Sequence, residues 1–254
     1  MSRPSRFVVV RKGADRGGPY RKEIRDAVFL IDGSDWDGLE DNVKFRLTYE
    51  GPLMSSGNRK GTAAHKHEIR KKFHPQLKQL WQIEPNLINF YAHPHYYEGD
   101  RRNGGHRKTP VWEAISHAYK RDDYRFVPFA PKMIGEFSLL IGVDILLLRQ
   151  GIPGKILKQG DIDGRLKTLF DALRMPSNQA EFGGYIKPDD DEDPFFVLME
   201  DDNLLNHVSV ETDILLQPTP EAKNKFDPND ARVIITVTTR PYWALPDYIG
   251  FVGN

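Results

Sequence analysis

The sequence predicts a small mixed α/β (α+β) domain, a short mixed sheet flanked by helices, from three observations. Several short segments alternate apolar and polar side chains, one longer run is apolar at nearly every position, and two segments repeat apolar residues at helical spacing. With 254 residues and 39% apolar composition, the chain can bury a core as one large domain or two small ones, which excludes global disorder.

Val43 to Tyr49 alternates as a half-buried strand does, and Gly51-Pro52 is expected to end it. After a Ser/Gly loop, Ile69, Phe73, Leu77, Leu80 and Trp81 recur at helical spacing, with Pro75 predicting a kink or a restart. Lys66, Arg70 and His74 share another face of that helix. Residues 84–130 are rich in Pro, aromatic and basic side chains without a period, so they read as irregular around one short helix near Val111 to Tyr119. Phe137 to Leu147 reads as a central strand buried on both faces. Leu166, Leu169, Phe170 and Leu173 mark a short amphipathic helix that Asp163 could N-cap and Pro176 ends. The acidic run Asp189 to Asp193 lies in a stretch with the composition of an exposed insertion. Val208 to Ile214 and Val233 to Val237 alternate as two more strands.

Lys+Arg 36 balances Asp+Glu 36, so neither a wholly basic nucleic-acid coat nor an acidic solvating chain fits. The absence of Cys excludes a disulfide framework, a zinc ribbon and a thiol nucleophile, and favours a reducing compartment. The apolar patch Phe7 to Val10 is far shorter than a signal-peptide core, and Met133 to Leu148 contains Glu136 and Asp144 and is too short to cross a bilayer. A cytoplasmic protein without a membrane span is expected.

The neutral total conceals a separation of charge. From Arg59 to Lys108 the net charge is +7, and from Gln159 to Asp213 it is −10. The first suits a surface that grips a polyanion, the second one that gathers cations, although charge runs are more often plain solvated faces. Candidate phosphate contacts are Arg59, Lys60, Lys66, Arg70, Lys71, His74, Arg101, Arg102, Arg107 and Lys108.

The segment beginning Gly160-Asp-Ile-Asp-Gly places Asp161 and Asp163 where a loop from the central strand meets a helix, and Glu200-Asp201-Asp202 immediately precedes another strand. If those elements are neighbours, three or four carboxylates meet at one edge and repel unless a hard divalent ion, Mg²⁺ or Mn²⁺, lies between them. Lys167, one turn after Asp163, would place an ammonium at the same edge, where it could hold a phosphate. Singly, each has a plain structural explanation: an N-cap, an i, i+4 pair of Lys167 with Asp171, a polar turn. Gly164 at the fourth position of the Asp-rich loop excludes an EF-hand, which needs Gly at the sixth. The histidines form no H-E-x-x-H arrangement, and most lie among Lys and Arg, where phosphate contacts or plain surface fit better than zinc.

Taken together, D-x-D-x-x-x-K, then Phe-Asp-Ala-Leu173, then Asp-Asp before a strand, resembles RusA-type Holliday junction endonucleases over roughly residues 44–82 and 136–240. The resemblance implies a small mixed α/β fold and a homodimer that cuts four-way DNA by paired nicks. It implies a site in which Asp161, Asp163 and Asp202 bind Mg²⁺ or Mn²⁺, with Asp201 as an alternative or additional ligand, and Lys167 is needed for cleavage. It divides the chain into an N-terminal extension (1–42), a nuclease domain (43–240) with insertions at 84–130 and 174–200, and a tail (241–254), encoded by a bacterium or a phage. The chain departs from the pattern in its neutral charge, its long insertions and Gly164, where the family carries Asn. Two other readings stay open: a RusA-like DNA-binding module without catalysis inside a larger nucleoprotein or phage-encoded assembly, and an enzyme acting on nucleotides or small phosphoesters.

Overall fold

Alternation along the first strand is realised as an edge of the larger of two main sheets. The structure, a computed structural model, describes residues 43–57, 62–88, 91–92, 109–132, 139–150, 162–222 and 226–241. The N-terminal extension 1–42 and the tail beyond 241 lie outside these residues, as do Arg59, Lys60, Arg101, Arg102, Arg107, Lys108 and Asp161.

In chain order the elements are β1 (Lys44–Pro52), α1 (Ala63–Ile83), the single turn α2 (Pro85–Ile88), β2 (Tyr91–Ala92), β3 (Thr109–Pro110), α3 (Val111–Ala118), β4 (Lys120–Arg121), β5 (Tyr124–Ala130), β6 (Leu139–Arg149), α4 (Ile162–Leu173), β7 (Phe195–Met199), β8 (Leu205–Ile214) and β9 (Asp230–Pro241). Short 3₁₀ turns occupy Gln179–Phe182 and Asp202–Leu204. The fold is α+β, with sheets of order β1-β9-β6-β8 and β4-β5-β7 and a minor β2-β3 pair. In the larger sheet β9 is antiparallel to β1 and β6, and β8 is parallel to β6; in the smaller, β5 and β7 are parallel. No helix among the described residues is long and apolar enough to cross a membrane.

The core lies between the larger sheet and α1. One face of the sheet contributes Leu47, Tyr49, Val143, Ile145, Leu147, Val233, Ile235 and Val237, and α1 contributes the expected Ile69, Phe73, Leu77, Leu80 and Trp81. Thr62 N-caps α1, its side chain accepting from the His65 N–H. Helix α1 also packs on β7 and α4, linking both sheets to the site region.

Several expectations are corrected. Pro75 does not restart the helix, because burial of the apolar face on both sides of it outweighs the one lost backbone bond. Strand β1 does end at Gly51-Pro52; Gly51 has φ +135°, and a Cβ there would meet the Glu221 carboxylate and the Tyr49 hydroxyl. Strand β6 is central but buried on one face: its odd positions point into the core, whereas Asp144 is exposed and Leu146 and Leu148 are partly so. Residues 84–130, expected to be irregular around one short helix, hold that helix as α3 but also the strand β5, and β7 lies within 174–200; both strands are almost wholly buried.

Candidate functional site

Helix α4 and the exit of β7 meet although they are far apart in sequence. The Met175 N–H donates to the Met199 carbonyl oxygen at 2.8 Å, and Arg174 and Met199 form a parallel bridge. This brings the Asp201-Asp202 turn beside the last turns of α4.

The helix is placed by its buried side. Ile162, Gly164, Arg165, Thr168, Leu169, Ala172 and Leu173 face inward. The Arg165 guanidinium donates to the Leu53 carbonyl oxygen and to the Pro228 carbonyl oxygen and Asn229 Oδ1 at 3.2 and 3.1 Å, tying the first turn to the segments after β1 and before β9. The Gly164 carbonyl oxygen accepts from the Ser56 N–H at 2.9 Å and the Thr168 hydroxyl at 3.0 Å. Asp163 and Lys167 are exposed on the outward side. Asp163 belongs to the helical first turn, where a carboxylate is favoured by the helix dipole, rather than standing before it as the N-cap.

Asp163, Lys167, Asp171 and Arg174 follow at four, four and three residues, so they form one stripe. Asp171 is fully engaged: Oδ2 accepts from Lys66 Nζ at 2.7 Å, and Oδ1 faces Arg174 Nε at 3.4 Å. The alternative pairing of Asp171 with Lys167 is thus replaced by Lys66 and Arg174. Arg174 also reaches Glu181 and Ser177.

At the β7 exit, Glu200 is used structurally, its Oε2 accepting from the Tyr119 hydroxyl at 2.9 Å and the Lys132 N–H at 2.6 Å. Asp201 caps the following 3₁₀ turn through the Asn203 N–H and pairs with Lys132 at 3.1 Å. Partial burial works against its charge, but these donors and a hydrogen bond with Asp202 hold its carboxyl below the usual range. Asp202 moves oppositely: desolvation, the Asp201 hydrogen bond and charge, and the Asp171 carboxylate raise it, against the pull of Arg174.

The structure therefore joins Asp201 and Asp202 to the C-terminal half of the Asp163–Lys167 stripe. Asp163 stands two turns away from Asp171, about 12 Å along the axis at ~1.5 Å per residue. Among the described residues no group of three His, Cys, Asp or Glu side chains is gathered closely enough to hold a metal ion, and Asp161 lies outside them. The side-chain donors here are carboxylate oxygens, the kind a hard divalent ion takes, but the described ones do not close around one point.

The comparisons with known proteins are negative. No family model, no curated protein and no solved structure matches the chain.

Two of the anticipated phosphate contacts are corrected by burial. Arg70 is 1% exposed, and its guanidinium bonds the carbonyl oxygens of Asp171 and Arg174 and His67 Nδ1. His74 is 3% exposed; its Nδ1 accepts from the Phe196 N–H at 2.9 Å, which leaves the proton on Nε2, 3.1 Å from the Asp191 carbonyl oxygen. Neither side chain reaches solvent. Lys66 and Lys71 remain nearer the surface, each in an ion pair. Sequence reasoning missed Asp171, Arg174 and Lys132 as site residues; the i, i+4, i+8 continuation of Asp163 and Lys167 was the available signal for Asp171.

Proposed function

We propose that the chain is a Mg²⁺- or Mn²⁺-dependent, structure-specific DNA endonuclease of the RusA type, acting as a homodimer on four-way or other branched DNA. One observation supports the reading: the Met175–Met199 junction sets the Asp201-Asp202 turn against the C-terminal end of the same helix that exposes Asp163 and Lys167.

The motif would assign the ion to Asp161, Asp163 and Asp202, with Asp201; when bound it would lower the pKa of a water and polarise the scissile phosphate. Holding it with both Asp163 and Asp202 would require the start of α4 and the β7 exit to draw together from their present separation. Lys167, exposed one turn from Asp163, orients the phosphate and offsets charge that grows during cleavage. Asp202 parts with its proton less readily than an ordinary carboxylate, so ion binding at this carboxylate would weaken as pH falls. Asp201 stays ionised beside Lys132 and keeps the turn fixed.

A nicking assay on four-way, branched and linear DNA with Mg²⁺ tests the reading; identical products from the native chain and Asp163→Asn would overturn it. The alternative, a RusA-like binding module without catalysis, is favoured by Gly164, which is buried and offers no side chain where the resembled family has Asn. Junction binding with no thermal response to Mg²⁺ or Mn²⁺ would decide for that module.

A further inference from the structure

Lys71 and His74, two of the α1 side chains expected to contact phosphate, meet the chain's own acidic segment instead. Lys71, His74 and Lys78 lie at helical spacing on one side of α1, and all three meet residues 189–192. Lys71 Nζ is 2.6 Å from Asp189 Oδ2 and 3.0 Å from Glu192 Oε1. His74 Nε2 and Lys78 Nζ converge on the Asp191 carbonyl oxygen at 3.1 and 2.8 Å. Beyond them, Arg125 of β5 pairs with both oxygens of Asp193, at 2.8 and 2.9 Å.

The acidic segment has one buried anchor and an exposed rim. Glu192 is 4% exposed, and its Oε2 accepts from the Asp189 N–H, closing the turn on itself. Asp189, Asp190, Asp191 and Asp193 are exposed. The anchor holds the turn, so the four outer carboxylates are not needed to place it. Two of them, Asp189 and Asp193, sit where anionic oxygens of a nucleic-acid backbone would approach Lys71 and Arg125, and Lys78 meets a main-chain carbonyl of the same segment.

We propose that Asp189–Asp193 is an intramolecular counter-charge that masks the α1 basic face, so that DNA binds there only by competing with it. The inference rests on the DNA-binding reading above and adds its regulation. Among the described residues, basic side chains of this segment meet acidic ones remote in sequence: Lys66 pairs with Asp171, and Lys71 with Asp189 and Glu192.

The test removes rim charge and leaves the anchor. Asp189→Asn/Asp190→Asn/Asp193→Asn is compared with the native chain for binding to a four-way junction and a duplex across a salt series. The control, Asp144→Asn/Glu211→Gln/Asp213→Asn, removes equal charge from exposed positions on the open side of the larger sheet. At about 50 mM salt the rim variant is expected to bind roughly tenfold more tightly, and its log affinity against log salt to steepen by about one as Arg125 becomes available to phosphates and Lys71 is left with Glu192 alone. Unchanged affinity and slope, or an equal gain in the control, would overturn the masking. If none of the proteins binds DNA even at low salt, the DNA-binding reading fails and the masking with it. Should the triple variant unfold, Asp189→Asn and Asp193→Asn singly must each show part of the gain, and absence of any gain overturns the proposal.

Discussion

Arg70 donates to the Asp171 carbonyl oxygen at 2.7 Å, joining the middle of α1 to the end of α4. A second bond from the same guanidinium reaches the Arg174 carbonyl oxygen at 3.2 Å. The last carbonyls of a helix have no partners within it, and a cation there also opposes the negative end of the helix dipole. A residue type usually found at the surface is therefore buried here as a C-cap from a neighbouring helix.

Arg70→Met is expected to lower unfolding free energy by about 3 kcal/mol, because it leaves buried carbonyls without donors. Arg70→Lys should recover less than half of this, since an ammonium cannot span both carbonyls and His67 as the planar fork does. Urea unfolding of the two variants and the native chain checks both statements.

His67 predicts how stability depends on acid. Its ring is fully buried among Tyr124, Phe182, Tyr185 and Phe195, and Nδ1 accepts from Arg70 at 3.0 Å. Burial, aided by the Arg70 and Lys71 charges, pushes its pKa down from 6.5 to about 3. The unfolded chain takes up this proton first as pH falls, so the contribution is complete above about 6.5 and is lost toward 3, with a slope of about 1.4 kcal/mol per pH unit. His67→Asn keeps an acceptor and removes the titration. It should be less stable than the native chain at pH 7, with a flatter urea midpoint between pH 6.5 and 4.

Periodicity made the half-buried elements legible and failed where burial was complete. Strands β1 and β9 alternate because one face meets water, and α1 and α4 show their apolar stripes for the same reason. Strands β5 and β7 are covered on both sides, so Tyr124 to Ala130 and Phe195 to Met199 lack any alternation, and Pro128 further disguises the first. At the site, Asp163 and Lys167 were legible from their local spacing. The partners of Asp171 were not, since Lys66 lies 105 positions away and only the packing of α1 on α4 brings it near. Arg70 and His74 were assigned to the surface from their chemistry alone; helix ends and strand N–H groups that need partners explain why they are inside.

Arg165 predicts a coupling between the fold and the site. It lies in the first turn of α4, and its three oxygen acceptors come from residues 53, 228 and 229. Arg165→Met is expected to cost about 2 to 4 kcal/mol by leaving those groups unsatisfied. Hydrogen exchange should show the largest loss of protection at the start of α4 and around Leu53, whose own N–H donates to the Asn229 carbonyl oxygen at 2.7 Å. Loss spread evenly over the chain would contradict this placement.

Asp163 and Lys167 should separate activity from stability. Both are exposed and have no ion pair among the described residues, so Asp163→Asn and Lys167→Met are each expected to change unfolding free energy by less than about 0.5 kcal/mol. Under the proposed nuclease reading each lowers the single-turnover rate of junction nicking by about 10²-fold or more, because one removes an ion ligand and the other an ammonium beside the phosphate. Lys167→Arg, which retains the charge in a broader group, should recover part of the rate. If the nicking rate instead follows the midpoint of thermal unfolding across this series, the two side chains are structural and the stripe on α4 is not the site of chemistry.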